Sequence, residues 1–345
     1  LIVYVLIYND ILCFELIILD IMRKVFFIIC FYIFACTLVA QSDTILVKKH
    51  LTAITKTEGF RNHENIPLLN EVAGYIHSVF EQYADTVYYQ PYDVDGKIYK
   101  NVVCRFGTST DKPVIVLGAH YDVCGDQEGA DDNASGVTAL LELARMFKGK
   151  NLSRPVELVA YSLEEPPYFR TPYMGSNIHA QSLKESGTPV YGMVAIEMIG
   201  YFDDEKGSQA YPVKVMKVAY GTRGNFILLV RRSGYGEFVG NFSSQFQDAE
   251  YIETKNIKAP AKMQGVDFSD HLNYWNAGYD AMMVTNSAFY RNKNYHQTTD
   301  KMETLNIDKM SKVIDAIYFA VLNVDNTSEN RITKIGGKFK KKGKS

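Results

Sequence analysis

The sequence predicts an α/β fold on three observations. Short apolar runs recur at 102–106, 114–117, 156–161, 193–196 and 281–284. An amphipathic helical stripe lies between the second and third of them. The chain has 345 residues, 47% of them hydrophobic, enough to bury a large core.

Element by element, residues 69–83 set Val72, Ile76, Val79 and Phe80 at helical spacing, the stripe of a helix packed on a core. The five apolar runs have turn-forming or charged flanks and read as buried strands of one sheet. A helix over about 135–147 carries Val137, Leu140, Leu141 and Ala144 on one face, with Ser135 available as its N-cap. Strand, helix, strand in that order implies a parallel pair joined by a right-handed crossover. Residues 201–255 are rich in Gly, Ser and aromatics without clear periodicity and read as strand and loop. Residues 308–322 close the core with Met310, Ile314, Ile317, Tyr318 and Val321 at helical spacing, a docked terminal helix. One folded domain is expected over 41–328.

The ends read differently. Met22-Arg23-Lys24 precede an uncharged stretch at 25–40, rich in Phe and Ile and closing on small residues. Basic, then apolar, then small is the order of a secretory signal peptide. Its apolar length is below the roughly 20 residues of a spanning helix, so 22–40 reads as a signal, with no stable membrane span in the mature form. Cleavage after Ala40 would leave Gln41 first in an exported protein, periplasmic or secreted; acylation of Cys36 is the lipoprotein alternative. Residues 1–21 begin with Leu and mix apolar residues with Asp10, Glu15 and Asp20, which suits neither a signal nor a span, and read as non-native upstream sequence. Residues 329–345, rich in lysine, read as a disordered, solvated tail. A net charge of -2 gives no reason to expect a nucleic-acid partner. Of five cysteines, only Cys104 and Cys124 follow residue 40, so one disulfide is the most an oxidising compartment could form.

Most of the chemistry-bearing residues sit where an apolar run gives way to a polar loop. His120 closes a run, and Asp122 is spaced to turn back and orient its imidazole. Asp131-Asp132 lie in a turn bounded by Gly129 and Gly136, where they suit a helix cap and a metal ligand equally. Glu164-Glu165 precede Pro166-Pro167 and point to opposite sides, so one can ligate a metal while the other stands over the bound water. Glu197 ends another run, where an unpaired carboxylate is costly. His296 lies in a Tyr- and Asn-rich loop before Asp300. Asp132, Glu165 and Glu197 with a bridging hydroxide would balance two zinc ions and leave both histidines neutral, whereas without metal the acids repel one another.

His120-x-Asp122, Gly129-Ala-Asp131-Asp132-Asn133-Ala-Ser135-Gly136, Glu164-Glu165, Glu197-Met198-Ile-Gly200, Ser269-Asp270-His271 and Tyr295-His296 together resemble the co-catalytic zinc aminopeptidase family, which includes bacterial leucyl aminopeptidases and aminopeptidase Y. The resemblance covers roughly residues 45–325. It implies a three-layer α/β/α fold with a mixed, mostly parallel central sheet and two Zn2+ per chain. Asp132 would bridge the ions, His120 and Glu197 complete one position, Glu165 and His296 the other, and Glu164 serve as general base. Asp122, Asp131, Asp270 and Asp300 would support these groups, and a cis peptide would follow Asp132. Glu197 stands where many members have Asp, and Asn286 where an acid is expected. The segment 166–170 replaces a glycine-containing turn, and Phe289, Tyr290 and Arg291 are candidates for the substrate-pocket wall.

The expected activity is removal of N-terminal residues from peptides. Two rival readings remain: a single-zinc glutaminyl cyclase of the same superfamily, against which Ser269 and the intact Asp131-Asp132-Asn133 turn argue, and a non-catalytic ectodomain that keeps the fold for binding.

Overall fold

A computed structural model describes residues 22–24, 41–109 and 111–340, with side chains in the last helix as far as Val324. The chain separates into two units, Leu1–Gln41 and Ser42–Ser345. In the first, only Met22–Lys24 and Gln41 are described, so the upstream segment and nearly all of the signal expected at 22–40 lie outside the described residues.

The second unit begins with helices α1 (Thr44–Thr55) and α2 (Ile66–Phe80). Asp43 caps α1 by accepting from the amides of Ile45 and Leu46, and Asn65 caps α2 at Leu68. The hairpin β1 (Thr86–Val94) and β2 (Lys97–Phe106) follows. Its two-residue turn is Asp95-Gly96, both at positive φ, the tight turn that matches strand twist. Then come β3 (Val114–His120), α3 (Gly136–Phe147), β4 (Val156–Tyr161), α4 (Gly175–Glu185), β5 (Val190–Glu197), α5 (Met216–Tyr220), β6 (Ile227–Arg232), α6 (Glu237–Asp248), β7 (Thr254–Ala259), α7 (His271–Ala277), β8 (Ala281–Thr285) and α8 (Ile307–Lys340).

Among the described residues the strands form one eight-stranded sheet in the order β1-β2-β4-β3-β5-β8-β6-β7. The central four, β4, β3, β5 and β8, run parallel; β1, β2 and the β6–β7 pair join them through antiparallel contacts. Every residue of β3, β4 and β8 is buried, and each fully buried Val, Leu or Ile contributes about 1.5–3 kcal/mol. From β3 the chain crosses to β4 on one side and then, over α4, to β5 on the other. Right-handed crossovers in opposite directions put α3 and α4 on opposite faces. Helices α1, α2, α3, α6 and α8 pack in one layer and α4 and α7 in the other, which makes the three-layer α/β/α fold. The strand order reverses beside β3, so a crevice opens at the carboxyl ends of β3, β4 and β5.

Two expectations are corrected. Residues 237–248 are a helix, not strand and loop: Phe238, Phe242 and Phe246 recur every fourth residue and are buried. Ser135 does not cap α3; its Oγ donates to the Asp131 carbonyl and accepts from the Ile199 amide. The backbone of 329–340 continues α8 through Lys340. No helix among the described residues is long and apolar enough to cross a membrane.

Candidate active site

The rigid strands deliver their last residues to one spot. His120 ends β3, Glu164 and Glu165 follow β4, and Glu197 ends β5. Asp132 comes from the turn before α3, and His296 from the loop after β8. The turn needs Gly129: its backbone is left-handed, and a Cβ there would run into the Asp132 carbonyl oxygen. The Asp132–Asn133 peptide is cis.

Asp132 sits between two groups. Its Oδ1 is 3.3 Å from His120 Nε2, which is also 3.5 Å from Glu197 Oε2. Its Oδ2 is 3.2 Å from His296 Nε2, which is 3.1 Å from Glu165 Oε2. Glu164 Oε2 stands 3.8 Å from His120 Nε2. All are buried except His296, whose side chain is 23% exposed.

Supporting contacts fix these groups. Asp122 accepts the amides of Glu164 and Glu165 at 3.2 and 3.1 Å, with its other expected neighbour, His120 Nδ1, at 3.5 Å. Asp300 accepts the amides of Asp131 and Asp132, each at 3.0 Å. Asp131 turns away from the centre and accepts from the Gly200 and Tyr201 amides and from the side chains of Asn286 and Asn292. Asn286 therefore occupies its position as a donor to an acid. Asp270 is fully buried at the start of α7, and burial raises its carboxyl to about 7.

Several contributors carry no local sequence signal. The buried Arg61 donates to the carbonyls of Tyr121, Glu128 and Gly129, clamping the two ends of the connection that runs from His120 to Asp132. Ser269, which the sequence does mark by its motif, donates to Glu197 Oε2 at 2.8 Å. Phe289 and Tyr290 line an apolar cavity with Met216, Leu228 and Met283. Phe289, Phe169 and Phe268 also wall a second cavity over Asp132, Glu164, Glu165 and His296. Glu197 borders both. Arg291 lines neither; Gln209 binds its Nε, and its guanidinium lies over the rings of Phe202 and Phe226.

The electrostatics show a demand for positive charge. Burial raises Glu164 and Glu197, and raises Glu165 to about 8 with help from Asp132. Burial opposes charging His120 and His296, yet the surrounding carboxylates outweigh it, lifting His120 well above its ordinary value and His296 to about 10. The same imidazoles overcome burial at Asp132 and lower its carboxyl. Protons on the rings thus serve where cations would. Asp132 Oδ2, Glu165 Oε1 and His296 Nε2 are buried without a hydrogen bond, and such groups are rare unless something else binds them. His120, Asp132 and Glu165 offer three ligand atoms within 4.8 Å of one another, a nitrogen–oxygen set that suits zinc.

Fold and site together describe an α/β/α protein with a buried centre of carboxylates and imidazoles. Residues 101–321 match the model of peptidase family M28, and the chain belongs to that family. It is 41% identical over 285 residues to the uncharacterized protein YfbL of Escherichia coli (strain K12), covering 80% of this chain and 87% of that one. It is 28% identical over 225 residues to leucine aminopeptidase 1 of Leptosphaeria maculans, covering 61% of this chain and 52%, about half, of that longer protein. Among solved structures, the LapA aminopeptidase of Legionella pneumophila superposes with a TM-score of 0.64 at 21% identity, covering 82% of this chain and 72% of its own. A glutaminyl cyclase of Fimbriiglobus ruber does so with 0.62 at 16%, covering 81% and 95%. At those identities the structures establish the fold alone.

Proposed function

We propose that residues 41–328 form a zinc-dependent aminopeptidase, exported by way of the segment 22–40, that hydrolyses N-terminal residues from peptides. One observation carries the reading: the two oxygens of Asp132 face separate pairs, His120 with Glu197 and His296 with Glu165. A carboxylate so placed can bridge two ions, each completed by one imidazole and one acid. Two zinc ions would supply Lewis-acid polarisation of the scissile carbonyl and acidify the attacking water.

The remaining steps belong to the chain. Glu164, opposite the ligand Glu165 on the pocket floor, accepts the proton of the attacking water at its carboxylate and returns it to the departing amine. Asp122 holds Glu164 in place through its amide. Phe169, Phe268 and Phe289 exclude bulk water from the cavity over the carboxylates. The adjoining apolar cavity, with Met216, Leu228 and Met283, suits a large apolar first side chain.

Hydrolysis of a panel of aminoacyl-anilides, before and after chelation, tests the activity. Cleavage of the leucyl and methionyl members, lost on chelation and restored by zinc, is expected; cleavage that survives metal removal would refute the metal reading. Metal analysis separates it from a cyclase, with two zincs per chain expected here and one there. N-terminal sequencing of native material is expected to begin near Gln41.

A further inference from the structure

One ligand-type side chain near this centre has no part in the roles above. Cys124 lies two residues beyond Asp122, in the loop that leaves β3. Its Sγ, a Glu165 carboxylate oxygen and a His296 ring nitrogen all lie within 4.8 Å of one another. The thiol is half-buried and in no disulfide, whereas Cys104 is wholly buried on β2. Glu165 Oε1 is buried without a hydrogen-bond partner, and His296 Nε2 has only the carboxylate oxygens of Asp132 and Glu165 beside it, where an ion would sit.

We propose that Cys124 is a protein ligand at the second metal position, beside Asp132, Glu165 and His296, and that this position therefore selects thiophilic ions. The proposal rests on the two-metal reading above. Two donors on one tetrahedral zinc stand about 3.3–3.5 Å apart, given bonds of about 2.0–2.3 Å. The 4.8 Å bound on the three atoms is wider than that, so the donors draw together when an ion binds. The position completed by His120 and Glu197 has only nitrogen and oxygen donors and, with three protein ligands, is the one that keeps a place open for the attacking water. The two positions then differ in kind: sulfur favours zinc and cadmium over manganese and magnesium, while an all nitrogen–oxygen set discriminates less. Cadmium, the softer ion, should enter the Cys124 position first.

The test uses the full chain, stripped with chelator and titrated with cadmium, and separately with cobalt, while absorption and bound metal are measured. A near-ultraviolet thiolate-to-metal band that saturates with the first equivalent of cadmium is expected. Cys124→Ser should lack the band while still taking up cobalt with its visible bands. A second readout needs no variant. Alkylation of Cys124 in the wild-type chain, mapped by mass spectrometry, should slow by about tenfold or more when zinc is bound, because a ligated sulfur is not a free nucleophile. Uptake of two ions per chain with no charge-transfer band, and with alkylation of Cys124 unchanged, would overturn the proposal and leave the peptidase reading standing. The band with one ion per chain would uphold Cys124 as a ligand and remove the two-ion reading. A chain that takes up no metal would overturn both.

Discussion

Asp131 and Asp132 are adjacent, carry the same side chain and are almost equally buried, at 0% and 2% exposure. Their surroundings are opposite. The Asp131 pocket is filled with donors: two amides from the turn after β5 and the side chains of Asn286 and Asn292. The Asp132 pocket gives that carboxylate imidazoles at 3.3 and 3.2 Å and leaves Oδ2 without a hydrogen bond. A buried carboxylate satisfied by neutral dipoles is part of the architecture. One that faces imidazoles and other acids, with an oxygen left unbonded, is an attractor for cations, its charge balanced by protons on the rings until they arrive. The difference between the two aspartates separates what builds the site from what uses it.

The largest effect expected is at Asp132. Asp132→Ala should abolish turnover and bring bound zinc below two per chain, while the chelated variant loses less stability than a chelated Asp131→Ala. Calorimetry with metal analysis checks this; an apo form destabilised as much as by an Asp131 change would collapse the contrast. Glu164→Gln comes next. It should keep its zinc and lose about 10²–10⁴-fold in kcat with little change in KM, since only the proton acceptor is removed. Retention of most of kcat would mean that Glu164 is not the base. Glu165→Gln should lose metal affinity as well as rate.

Asp131→Ala should act through folding. It leaves four donors unpaired, and a loss of about 3–5 kcal/mol is expected, read by urea unfolding of the chelated chain. A loss within 1 kcal/mol, on the scale of an ordinary surface change, would contradict its architectural role.

The smallest effect concerns histidines outside the centre. Burial lowers His50 and His271 to about 4 and His179 to about 3, the reverse of His120 and His296. These three are neutral in the folded chain, while the unfolded chain protonates them below about pH 6.5. Their contribution is therefore present above pH 6.5 and is lost as the pH falls toward 4, at up to roughly 1.4 kcal/mol per pH unit for each. His271→Gln, which keeps a donor for the Val266 carbonyl, should flatten that slope in unfolding measured at pH 7 and 5; an unchanged slope would count against it.

Much of this centre is legible in the sequence because its members end apolar runs or sit in glycine-bounded turns. His120, Asp132, Glu164, Glu165, Glu197 and His296 do converge. Arg61 and Asn292 are not legible, since each acts on backbone or carboxylates far away in the chain and has no local pattern. Cys124 gives no signal alone; only folding brings it to Glu165 and His296. Helix α6 escapes because Gly240, Asn241 and two serines dilute the four-residue recurrence of its phenylalanines. The hairpin turn at Asp95-Gly96, by contrast, carries its own sequence signature.

Asp122 ties two strands together with one carboxylate. Its two oxygens take the amides of consecutive residues, Glu164 and Glu165, while it stays within reach of His120. Glu164, Glu165 and His120 are thus held as one body anchored to β3, and their mutual placement does not wait on a bound molecule. The chain beyond, from Pro166 to Arg170, lies outside that body. Arg170 pairs with Asp267 and lies over the rings of Phe169 and Phe268, which wall the cavity, so exchanges at Arg170 can reshape that wall without disturbing the groups on its floor.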